Sequence, residues 1–326
     1  MKREYIERTA GRWSRRALLA AGTAAAVAAA TRAALGQSRG SAAASHSGTS
    51  AMEIDMTEKI VLVTGSTDGL GRAVAIQLGT LGATVLVHGR NAERGAATVR
   101  DVETAGGHAA FYQADFASLD EVRRLTDEIV ERYDRLDIVI NNAGIWTDGS
   151  DERRRSADGH ELVFAVNYLA GYLLTLRLLP LLERSPQARI CNVSSLAQQP
   201  IDFDDVMLER RFSASRAYGQ SKLAQVMFTI DLARALAGSG ITVNSLHPAT
   251  LMDTAMVETA GATPRSSVAE GVAAVMRLAV APELAGRSGL FFNGARETRA
   301  HEQAYDDDAR ARLRALSLEL TGERLG

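Results

Sequence analysis

Lys59-Ile-Val-Leu-Val-Thr-Gly-Ser-Thr-Asp-Gly-Leu-Gly71 is the stretch on which the reading of the chain turns. Residues 59–63 form a short apolar run with glycines directly behind it, the pattern of a strand buried on both faces. Gly65, Gly69 and Gly71 permit a tight turn, and residues 69–81 then read as a helix. Placed between strand and helix, such a turn lets backbone N–H groups meet a pyrophosphate at the positive end of the helix. The same alternation continues outward from here. Strands are expected at 84–88, 109–113, 136–140, 189–193, 242–246 and 289–292, and helices at 91–105, 119–133, 159–182, 217–237 and 267–280.

A chain that alternates in this way predicts a single α/β domain, a Rossmann-like doubly wound parallel sheet with helices on both faces. Its ligand crevice opens at the carboxyl ends of the strands, where the motif residues fall. A second pattern supplies the chemistry. In Tyr218-Gly-Gln-Ser-Lys222 the Tyr and the Lys lie four residues apart on one helix face. A phenol near a fixed ammonium ionises more easily, as alcohol–carbonyl interconversion requires.

Together with Ser194-Ser195 and Asn141-Asn-Ala-Gly144, these stretches resemble the short-chain dehydrogenase/reductase family over roughly everything after Met56. Ile190-Cys-Asn-Val-Ser-Ser195, the loop stretch Ile201-Asp-Phe-Asp-Asp205 and the ending Leu316-Ser-Leu-Glu-Leu-Thr-Gly322 look like its retinol-dehydrogenase-like branch. The resemblance implies an NAD(P)-dependent oxidoreductase acting on a small lipophilic alcohol or carbonyl compound. In it Tyr218 exchanges the proton on the substrate oxygen, with a phenol pKa brought down from ~10 by Lys222 aided by the positive nicotinamide ring. Ser195 hydrogen-bonds the substrate carbonyl, Ser194 serves the strand end, and Asn167 holds a water that relays protons to Lys222. Tyr218 and Lys222 also flank the nicotinamide end, Lys222 on its ribose. The competing reading is a non-catalytic NADP-binding sensor or partner protein on the same fold, and retention of all four residues argues against it.

Gly65, Ser66, Thr67, Asp68, Gly69, Leu70 and Gly71 are expected along the pyrophosphate. The second strand ends in His88-Gly-Arg-Asn91 with no acid. Arg90, with Asn91 beside it, suits a 2′-phosphate, so NADP(H) is favoured over NAD(H). Asp68 stands where many NADP-using relatives carry a base, which argues the other way. By resemblance, Asp115-Phe116 contacts the adenine, and Asn142, Ala143 and Gly144 pack on the cofactor while Asn141 steadies the sheet. Pro248 belongs to the nicotinamide side, followed by Ala249 where the family has glycine. Thr254 is expected near the carboxamide, one residue late. Residues 251–264 are expected to form a substrate lid, with Met252, Met256 and Val257 as an apolar face or as core packing. His160 and His247 lack ligand spacing, so no metal is assigned.

The chain has 326 residues, 46% of them hydrophobic, enough for one sizeable core. Its single cysteine, Cys191, lies in an apolar strand and reads as an inert thiol. The net charge of −2 hides an asymmetry, because residues 1–36 carry seven Lys/Arg against two Glu and leave the body near −7. An acidic body lacks the basic face that nucleic acid requires. Ser14-Arg-Arg-Ala-Leu-Leu19, the Ala-rich run after it and small residues before Gly36 predict a cleavable twin-arginine signal at 1–36, hence recognition by that export machinery. The run is too short and alanine-rich for a stable membrane span. The alternative is a cytoplasmic enzyme starting at Met52 or Met56. Residues 37–55 read as a Ser/Ala/Gly linker and 56–326 as the dinucleotide-binding domain. The resemblance leaves the oligomeric state open: many family members pair as a homodimer through the two long helices, and members with the longer loop before the tyrosine sometimes do not.

Overall fold

The computed structural model describes residues 54–146 and 152–325. The signal segment and nearly all of the linker lie outside them. The apolar run becomes β1 (Ile60–Val63), and the parallel strands β2 (Thr84–Gly89), β3 (His108–Gln113), β4 (Ile138–Asn141), β5 (Arg189–Val193), β6 (Thr242–His247) and β7 (Phe291–Asn293) follow. A short antiparallel strand, β8 (Arg296–Thr298), closes one edge and was not foreseen. The order is β3-β2-β1-β4-β5-β6-β7-β8. The chain therefore reverses direction across the sheet between β1 and β4, which is where such folds hold ligands.

Side chains alternate across the strands and feed two cores. Leu62, Leu86, Val139, Ile190 and Val243 face one core, under α3 (Leu119–Arg132), α5 (Ala170–Leu182) and α6 (Ala214–Ala235). Val61, Val63, Val85, Ile140 and Cys191 face the other, under α1 (Gly69–Thr80) and α8 (Val268–Val280). Burial pushes the Cys191 thiol up to about 12, which makes it unreactive. Helix starts follow their caps: Asp68 before α1, Asn91 before α2 (Ala92–Thr104), Ser118 before α3, and a reciprocal Ser267–Glu270 box before α8.

Two regions depart from expectation. The long helix expected from residue 159 begins instead with a three-residue turn, α4 (Leu162–Phe164), capped by the buried Glu161 carboxylate. It continues through a π turn, Ala165–Leu169, into α5. The span Leu162–Leu182 is long and apolar enough to cross a membrane, with a mean hydropathy of 1.6, but 72% of that window is buried inside the fold. Beyond the short helix α7 (Ala255–Thr259), Asp306 caps a full C-terminal helix, α9 (Asp307–Thr321), that lies on α6.

Candidate active site

The β1–α1 turn is built by close approach. Gly65 has φ +65°, and a Cβ there would stand 2.8 Å from Ala143 Cα, so only glycine lets the turn press against the end of β4. Asn142 locks the two together: its Nδ2 donates to Thr64 C=O (2.9 Å) and Gly65 C=O (3.2 Å), and its N–H donates to Thr64 Oγ1. Above the turn the first-turn N–H groups of α1 have no helical partner. Asp68 caps Gly69 N–H at 2.7 Å and Thr254 lies over Gly69. Ser66 and Leu70 point inward. The Ser66 hydroxyl donates to Val63 C=O and accepts from His88 N–H, so these residues serve the crevice with backbone alone. Thr67 lies against Gly89, and Asn91 is occupied as a cap.

At the outer end Arg90 is exposed and sits 3.6 Å from the Asp115 carboxylate. Asp115 also accepts from Ala117 N–H, while the Phe116 ring is turned into the core and stacks on His88 with centroids 4.2 Å apart. Phe116 therefore offers no ring to the crevice. Arg94, unnoticed in the sequence, reaches Asp68 at 2.8 Å. That pairing neutralises the acid that argued against a 2′-phosphate and places two guanidinium groups at this end.

At the inner end β5, α6 and the π turn converge. The Ser195 hydroxyl lies beside the Tyr218 phenol, and Ala197 N–H donates to Ser195 Oγ at 3.1 Å. Ser194 Oγ donates to Lys222 C=O at 2.7 Å and so ties β5 to α6. Lys222 Nζ lies 5.6 Å from the Tyr218 ring centroid and donates to Val193 C=O (2.9 Å) and Gln225 Oε1 (3.1 Å). Burial raises the Tyr218 phenol above its ordinary value, and the Ser195 hydroxyl opposes it. Burial also brings Lys222 down to about 7. Burial thus works against the lowering expected from Lys222 and the positive nicotinamide ring together. The side chain of Asn167 is likewise committed. Its Oδ1 accepts from Ile145 N–H (2.7 Å) and its Nδ2 donates to Ile145 C=O and Ser221 Oγ, so its amide holds the β4 loop. Pro248 follows β6, whose last residue, His247, meets Thr250 Oγ1 at 3.0 Å.

Two features escaped the sequence reading. Trp146 stacks on Tyr218, centroids 5.3 Å apart and 24° between planes. It is one of only two tryptophans and follows Asn141–Ile145 directly, which was the available signal. The loop after Ser195 is also pinned from far along the chain. Gln198 donates to Ser195 C=O (2.7 Å) and accepts from His301 N–H (2.8 Å), while Gln303 makes paired bonds to the Ile201 backbone. Of the residues expected to form a lid, Val257 is buried and Met252 packs on α8, leaving Met256 exposed.

Residues 59–265 match the short chain dehydrogenase family. The chain is 37% identical over 288 residues to retinol dehydrogenase 13 of Homo sapiens, covering 81% of this chain and 85% of that protein. It is 34% identical over 296 residues to human retinol dehydrogenase 14, covering 82% and 87%. The solved Pseudomonas aeruginosa RhlG/NADP active-site complex superposes with a TM-score of 0.60 at 28% identity, over 73% of this chain and 95% of that one. The chain belongs to the short-chain dehydrogenase family, in its retinol-dehydrogenase-like branch. It is an oxidoreductase acting on CH–OH groups, interconverting alcohol and carbonyl with a nicotinamide cofactor. The residues present fit that cofactor: a glycine turn pressed to β4, helix N–H groups above it, and two guanidinium groups at the outer end, each beside a carboxylate.

Proposed function

We propose that this enzyme uses NADP(H) to interconvert an apolar alcohol and its aldehyde or ketone, with Tyr218 as the proton donor and acceptor. The observation that carries the proposal is the convergence of Tyr218, Ser195 and Lys222 at the inner end of the crevice. The turn at Gly65–Gly71 and the loop at Asn142–Gly144 would hold the cofactor backbone. Arg90 and Arg94 would hold a 2′-phosphate, with Asp68 and Asp115 as their resting partners. Bound there, the nicotinamide supplies or accepts the hydride.

The remaining work falls to the chain. Ser195 Oγ orients the substrate oxygen beside the phenol. Tyr218, held protonated by burial, gives its proton to that oxygen in reduction and takes it back in oxidation. Lys222 stabilises the phenolate so formed and repays the cost of its burial. The rim supports an apolar substrate: Trp146 over Tyr218, and Leu196 and Met256 exposed beside Ser195 and on the lid. The names of the retinol dehydrogenase relatives make retinal a sensible first aldehyde to offer.

The test is NADPH and NADH oxidation by the purified protein against retinal, medium-chain aldehydes and steroid ketones. Tyr218→Phe is expected to lower kcat by roughly 10²–10⁴-fold, the usual range for a lost general acid, while cofactor affinity is kept. Arg90→Ala is expected to weaken NADPH more than NADH by about tenfold, the loss of one charge-assisted contact. A Tyr218→Phe enzyme with full turnover would refute the assignment.

A further inference from the structure

We propose that Gln225 is a positioning residue that braces Lys222 as an ammonium ion, bridging its Nζ to the main-chain carbonyl of Asn167 at the π turn. The inference rests on the reading that Lys222 serves the reaction, but its geometry is independent of any substrate. Gln225 follows Lys222 by three residues, so the two share a face of α6. Both are buried, at 6% and 4% exposure, so each polar group needs a partner. Lys222 Nζ donates to Gln225 Oε1 at 3.1 Å, and Gln225 Nε2 donates to Asn167 C=O at 2.8 Å.

The amide can face only one way. Reversed, it would set NH₂ against the ammonium and oxygen against a carbonyl oxygen. The Asn167 carbonyl lies in the π turn, where Ala170 N–H reaches back five residues to Ala165 C=O in place of the usual four. Val193 C=O and Gln225 Oε1 thus take two of the three ammonium protons and leave one for the crevice. The crevice wall is close: a Cβ added to Gly144 would stand 3.5 Å from Nζ. An amide braces without conducting, since it neither gains nor loses a proton near neutral pH as a water chain does.

The charge balance makes the brace consequential. The titratable groups facing Nζ are the Tyr218 phenol on the same helix and His247 at the end of β6, whose pKa is lowered by burial and by Lys222 itself. None of the ion pairs among the described residues involves Lys222. A neutral amide is therefore the side-chain acceptor that favours the ammonium against its burial.

The chain has only three lysines, Lys2, Lys59 and Lys222, so protein grown on lysine labelled with ¹³C at Cε gives three NMR titrations. The full-length, cofactor-free protein is titrated, with Lys59→Arg to assign one signal. One resonance is expected to titrate near neutrality. In Gln225→Met its midpoint falls by roughly one unit, because a hydrogen bond to a charged group is typically worth at least one pKa unit. In Gln225→Glu, nearly the same shape with a carboxylate at Oε1, the midpoint rises. If Gln225→Met fails to fold, the rise in Gln225→Glu carries the test. A Lys222 midpoint that stays fixed in the folded variants overturns the proposal. This readout uses neither cofactor nor substrate, so its failure is distinct from failure of the oxidoreductase reading, which the Tyr218→Phe assay decides.

Discussion

An imidazole buried between two fixed partners has its tautomer and its charge chosen for it. His88 Nδ1 accepts from Gly65 N–H at 3.1 Å, so Nε2 carries the hydrogen and donates to Ala114 C=O at 3.2 Å. The ring thereby ties the glycine turn to the end of β3, and burial lowers its pKa from 6.5 to about 4. The unfolded chain takes up that proton below the ordinary value, the folded one only below the lowered value. The contribution to stability is therefore full above pH 6.5 and lost as pH falls toward about 4. The whole loss is about 3 kcal/mol, from 1.36 kcal/mol per pKa unit. Urea unfolding at a series of pH values is expected to show this slope, and His88→Gln to remove it. The sequence marked His88 only as a position without an acid. Tyr218 and Lys222 were legible because one short motif fixes their spacing, and Ser195 because the family resemblance points to it. His88, Arg94 and Gln225 were not, since their roles come from what the sheet order brings beside them.

At the scale of elements, strands were legible and the π turn was not. Short apolar runs with glycines behind them are local signals. The widened turn at Ala165–Leu169 is set by contacts from elsewhere, the Asn167 amide on Ile145 and Ser221 and its carbonyl on Gln225. The loop between β5 and α6 is a further case. Its Ile201 backbone gives and receives one bond each with Gln303, about a hundred residues away in sequence, at 2.7 and 3.0 Å. Gln303→Leu leaves both backbone groups without that partner and is expected to cost about 1–3 kcal/mol, the usual penalty for an unsatisfied buried group. Thermal unfolding would show the lower Tm, and an unchanged Tm would mean that the loop is held without Gln303.

At the scale of the molecule, α9 changes what the long helices can do. Arg310, only 1% exposed, donates to Asp231 on α6 at 2.8 Å and to Ala304 C=O at 2.7 Å, and Arg314 also meets Asp231. Tyr168 and Ser317 hydroxyls meet at 2.7 Å on the same side. Pairing of two copies through α5 and α6, the route of many family members, would require α9 to leave and strand a buried guanidinium. The short strand β8 covers the sheet edge beyond β7. Static light scattering is expected to give the mass of one chain, and a mass of two would contradict this reading.

The family match ends at residue 265, yet the loop that carries Ser195 is finished by His301 and Gln303. Synthesis runs from the N-terminus, so the sheet through β6 can assemble while those two residues are still unmade. Until they emerge, Gln198 lacks its donor and the serine loop its clasp. A part-made chain can therefore hold most of its sheet before the serine loop is set, and residues well beyond the family match complete that loop.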